Sequence, residues 1–165
     1  MAKPTKYATL ICAILSVLAA LGILIGLLSK NALVPMFALL PAVAYEIYRT
    51  EGESTKWASW GLGVVYVATL IFLIFDIRLD LASFFGTSTR QVGGYEVPLG
   101  DIKVVGSALM IVLSAILFTR TRGVYTRWLS VIIFITSFAV VYLAGPESFQ
   151  DLLRFGTDKV VEQVG

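Results

Sequence analysis

The chain has 165 residues, of which 58% are hydrophobic and only 15% charged, and its mean hydropathy is +0.85. Soluble domains run nearer ~45–50% apolar and ~25% charged, and one this small leaves too much surface exposed to hide such a surplus. Disorder fails for the opposite reason, because disordered chains lack apolar and aromatic residues. The sequence therefore reads as an all-α, polytopic membrane helix bundle. A formal net charge of +2 is too small to draw nucleic acid as a partner.

Absences narrow the chemistry further. There is no histidine, and Cys12 is the single cysteine. Haem, zinc, copper and iron–sulfur sites are built largely from His and Cys. Catalytic triads of the Ser-His-Asp or Cys-His kind need a histidine, and one cysteine closes no internal disulfide. No phosphate-binding Gly-rich loop or EF-hand pattern occurs. The expectation is a chain that is not an enzyme and carries no cofactor and no metal.

A helical span takes roughly 20 apolar residues to cross about 30 Å of hydrocarbon. Residues 7–28 satisfy this without a charge, and they exceed the h-region of a signal peptide. The second span is expected over 32–48, interrupted by Pro35 and Pro41. Pro41 falls mid-span, where it removes a helical hydrogen bond and frees a carbonyl. If the two prolines make this segment re-entrant, four spans remain. The third span is read at 58–75, the fourth at 102–119 with Lys103 snorkelling, and the fifth at 124–144, ending at Gly145-Pro146.

Between spans three and four, residues 79–101 form one long outer loop. Its Arg90-Gln91-Val92, Gly93-Gly94 and Tyr95-Glu96-Val97 read as a small β-hairpin, since Gly-Gly supplies a tight turn. Residues 146–165 read as an amphipathic C-terminal segment. There Phe149, Leu152, Leu153, Val160, Val161 and Val164 fall opposite Glu147, Asp151, Asp158 and Glu162.

Five spans put seven of the 13 Lys and Arg residues on one side and six on the other. The short turn from Thr119 to Arg127 carries Arg120, Arg122 and Arg127, and short loops weigh most in the positive-inside rule. The N-terminus is therefore expected in the cytoplasm and the C-terminus outside the cell membrane. Trp57, Trp60 and Trp128, with Tyr7, Tyr45, Tyr48 and Tyr125, then form a belt at the cytoplasmic interface.

Ionisable residues at bilayer depth are costly and mark functional sites by default. Two groups come near: Glu46, with Arg49 at i+3, and Asp76 with Arg78 and Asp80. Together with Pro41, these are the candidate ion or gate residues. Packing is signalled separately by Gly22 and Gly26, a GxxxG pair, and by Ser59 and Gly63. The reading that follows is a non-catalytic subunit of a larger membrane complex, joined to other membrane subunits or to itself through the Gly22/Gly26 face and the outer segments. The rival is a small oligomeric transporter or channel using the Pro41 kink with Glu46 or the Asp76/Arg78 cluster.

Overall fold

The structure, a computed structural model, describes residues 6–50, 53–77, 89–92, 95–98 and 102–146. Among these residues five helices follow one another: α1 (Ala8–Ser29), α2 (Leu33–Arg49), α3 (Glu53–Ile74), α4 (Ile102–Arg120) and α5 (Val124–Ala144). Strands β1 (Thr89–Val92) and β2 (Tyr95–Pro98) pair antiparallel, Val92 opposite Tyr95 and Thr89 opposite Pro98. Pro98 stands at the end of the ladder, where its missing donor costs least. The expected C-terminal amphipathic segment lies, beyond Pro146, outside the described residues, and so does Arg78.

Helix ends match the expected spans closely except at the start of α3, which begins at Glu53 rather than Ala58. Its opening turn is polar in sequence, so a hydropathy window passes over it. Among the described residues four helices are long and apolar enough to cross a membrane: α1, α4, α5 and residues 55–74 of α3. This is the make-up of a multi-pass membrane protein. At 17 residues, α2 is the shortest helix.

Local chemistry makes the turns short. Helix α1 stops where Lys30 takes a left-handed conformation, φ 50°. The Asn31 N–H then donates to the Gly26 carbonyl at 3.1 Å, a six-to-one closure of the helix end. Asn31 Oδ1 in turn accepts the Leu33 N–H at 2.9 Å, serving a donor that the start of α2 leaves unmatched. Pro35 is tolerated because the first turn needs no N–H there. Helix α3 closes in the same way, with Asp76 at φ 47° and the Ile77 N–H on the Phe72 carbonyl at 3.0 Å.

Helices α2 and α5 form the centre. Helix α2 packs on α1, α3 and α5, and α5 packs on α1, α2 and α4. The core is drawn from Met36, Leu39 and Val43 of α2, Leu62 and Tyr66 of α3, Met110 and Leu117 of α4, and Leu129 and Ile133 of α5. Helix α2 runs the length of the bundle and does not turn back within it. At one end Pro35 lies against Gly26. At the other, the Arg49 guanidinium sits 4.7 Å over the Tyr125 ring, and the Tyr125 hydroxyl bonds Thr9 near the start of α1 at 3.0 Å.

The outer surface is the inverse of a soluble protein's. Leu10, Ile14, Val17, Leu21, Leu24 and Leu28 project from α1, while Ser107, Ser114, Ser130, Thr136 and Ser137 are buried. Trp57, Trp60, Tyr7 and Tyr48 are exposed at the end where α1 begins and α2 finishes.

Gly22 and Gly26 form the seam between α1 and α2. A Cβ on Gly22 would overlap that of Ala38, and one on Gly26 would lie 2.6 Å from Pro35 Cδ. Gly22→Leu is expected to cost ~1–3 kcal/mol through overpacking, read as a lower melting temperature in detergent. Gly61→Leu, where an added Cβ meets nothing within 4 Å, is expected to stay within about 0.5 kcal/mol of the parent. Equal losses at both glycines would refute this seam.

Candidate functional site at the buried end of α2

Glu46 lies one turn from the end of α2 and is 0% exposed. Its position follows from the helix period, because Met36, Leu39, Val43 and Glu46 line one buried face while Phe37, Leu40 and Tyr48 point outward. The turn into α3 then brings two hydroxyls beside it. Thr50 Oγ1 lies 2.8 Å from the Glu46 carbonyl and 3.0 Å from Glu46 Oε1. The same atom lies 3.1 Å from Ser59 Oγ. Ser59 is 0% exposed, so the cluster is closed from outside. The other carboxyl oxygen, Oε2, is buried without a hydrogen-bond partner.

Arg49 does not pair with Glu46 as its i+3 spacing suggests. Its guanidinium donates to the Tyr45 hydroxyl at 3.3 Å and covers the Tyr125 ring. An aromatic face and a phenol oxygen near the helix end accept this cation in a half-buried setting, and Glu46 turns inward instead. Cys12 of α1, also buried, lies within electrostatic reach of both Arg49 and Glu46.

Asp76 stands at the opposite end of the bundle. It forms an ion pair with Lys103 of α4, whose side chain is only 9% exposed against 68% for Asp76. Lys103 is thus held across the α3–α4 junction, in place of the snorkelling expected of it. Around them Lys30, Asn31, Leu73, Leu143 and Ala144 line a polar recess of about 520 Å³. Glu46 and Asp76 therefore do not meet in one site.

Pro41 lies inside α2, half-buried. The Tyr66 hydroxyl of α3 donates to the Met36 carbonyl at 2.8 Å, next to the Phe37 carbonyl that Pro41 leaves without its helical donor. Ser59 and Gly63, the second small-residue pair, face α2, where a Cβ on Gly63 would lie 2.6 Å from Ile47 Cδ1. Among the described residues no three Cys, Asp or Glu side chains converge where a metal ion could sit. Sequence reasoning missed Thr50 and Tyr66. Thr50 had a signal in its i+4 spacing from Glu46, whereas Tyr66 meets Met36 only through the packing of α3 on α2.

Lys103→Met keeps the packing of the stem and removes the charge, so it is expected to be tolerated. Asp76→Asn removes the carboxylate that pairs with the largely buried Lys103 and is expected to cost more, about 1 kcal/mol given the exposure of Asp76. Thermal unfolding in detergent checks the order. A larger loss in Lys103→Met would show that the pair is not what holds this corner.

No family model, curated protein or solved structure matches the chain.

Proposed function

We propose that the chain is a non-catalytic integral membrane subunit of a larger membrane protein complex, acting in assembly or structural support. One observation carries this reading. Hydroxyls buried along the helices are spent on their own backbone: Thr69 on Val65, Ser107 on Lys103, Ser130 on Thr126, Thr136 on Ile132 and Ser137 on Ile133, all at 2.7–3.0 Å. Groups bonded in this way have spent their one proton on a carbonyl of their own helix and have none left to donate to a passing solute. The Gly22/Gly26 face is filled by α2, so contact with other subunits falls to the outward apolar faces and the segments beyond the helices.

In this reading α2 is the fifth span, for 17 residues rise about 25 Å, near the lower limit for crossing. The basic turn between α4 and α5 places the N-terminus in the cytoplasm, and the strand pair and C-terminal segment then lie outside. Introduced cysteines near Thr121 and near Gly94 are expected to react from opposite faces of sealed vesicles. Labelling from one face alone would overturn the topology.

A specific feature favours the rival, a small oligomeric transporter or channel: the unpartnered Oε2 of Glu46. Flux separates the two. Purified protein reconstituted alone is expected to move no solute, and mild extraction from native membranes is expected to retain partner subunits. Solute movement that is lost in Glu46→Gln or Asp76→Asn would replace the subunit reading with the rival.

A further inference from the structure

We propose that Glu46 is a proton-binding site: a neutral carboxylic acid inside the bundle, whose Oε1–H donates to Thr50. The inference stands whichever functional reading holds, because it rests on counting protons within one cluster.

Thr50 Oγ1 has three oxygen neighbours, the Glu46 carbonyl at 2.8 Å, Glu46 Oε1 at 3.0 Å and Ser59 Oγ at 3.1 Å. A threonine hydroxyl owns one proton and two lone pairs. An ionised Glu46 would present two pure acceptors to that one proton, the backbone carbonyl and Oε1. That proton could reach both only as a three-centre bond, weaker to each, and Oε2 would still have no donor. A neutral Glu46 resolves the count. Oε1–H donates to Thr50, Thr50 donates to the Glu46 carbonyl, and Ser59 donates to the remaining lone pair of Thr50. Each proton and each short contact is then accounted for.

The groups around the cluster agree. From α3 comes Ser59, a hydroxyl. From α1 comes Cys12, buried and able to offer only a weak donor. On α2 itself the nearby cation is Arg49, which is committed to Tyr45 and to the ring of Tyr125 from α5. Among the described residues no cation lies within ion-pair distance of Glu46, and Oε2 has no hydrogen-bond donor. A buried carboxylate requires such a partner. The carbonyl oxygen of a neutral acid tolerates its absence far better. The proton thereby does structural work, completing a chain of hydroxyls from α2 across to α3.

The test uses the full chain in lipid nanodiscs at neutral pH. Infrared spectra of the parent are expected to contain a carboxylic-acid C=O band that disappears in Glu46→Gln. Thr50→Val, which removes the oxygen that accepts from Oε1–H, is expected to move that band to higher frequency. If Glu46→Gln does not fold, the band shift in Thr50→Val decides alone. Loss of a carboxylate band in Glu46→Gln, or an acid band that Thr50→Val leaves unmoved, would each overturn the proposal.

Discussion

In hydrocarbon, every backbone polar atom must find its partner within the protein, because no water is there to supply one. That constraint organises the rest of the bundle. Backbone groups are closed by helices, and the hydroxyls of Ser107, Ser130, Thr136 and Ser137 fold back onto carbonyls of their own helices. Large apolar side chains are then free to face outward, as Val64, Val67 and Ile71 of α3 and Val131 and Ile135 of α5 do. With lipid outside, hydrophobicity no longer draws helices together, and close contact has to do so.

Helix α2 shows how that contact is made. It is short and holds an internal proline and a buried acid, which makes it the least suited of the five helices to crossing a membrane. It nonetheless touches three of the other four helices. Glycine on α1 meets proline and alanine on α2, while Gly63 receives Ile47 from the other side. Small residues on the flanking helices thus let a bulky central helix come near. Polar cross-links between helices add to this, with Trp128 Nε1 of α5 donating to Ser16 Oγ of α1 at 2.9 Å and the Tyr66 hydroxyl to the Met36 carbonyl at 2.8 Å.

Much of this architecture was legible in the sequence. Hydropathy located the five helices because the period and length of an apolar run are local properties. The start of α3 was missed because its first turn is polar. Glu46 and Asp76 were identifiable as charges near helix ends, yet their partners were not. Arg49 at i+3 was the obvious local partner for Glu46, but Tyr125, 76 positions on from Arg49, supplies the aromatic face that takes the cation. Lys103 could be read as a snorkelling residue until the fold placed Asp76 beside it. Local spacing ranks only neighbours along the chain, and competition from a distant helix is invisible to it.

The small-residue motifs carry the same ambiguity to the question of partners. A GxxxG pair states that some backbone comes close, and a sequence alone does not say whose. Here the approaching helix is α2 of the same chain, delivered by a turn of three residues, Lys30, Asn31 and Ala32, between α1 and α2. A helix tethered so closely is present at a high effective concentration, so it outcompetes any separate subunit for the seam. Once the seam is filled, the outward faces retain mainly Leu, Ile, Val and Phe, side chains that suit lipid as well as protein. Specific recognition of another subunit, as the proposed function requires, would have to draw on polar groups, and these are concentrated at the bundle's two ends. One end offers the basic turn with Arg120, Arg122 and Arg127. The other offers Lys30, Asn31, Asp76 and Lys103 around a polar recess. On physical grounds the ends, and not the glycine motif, are where selectivity for a partner can be encoded.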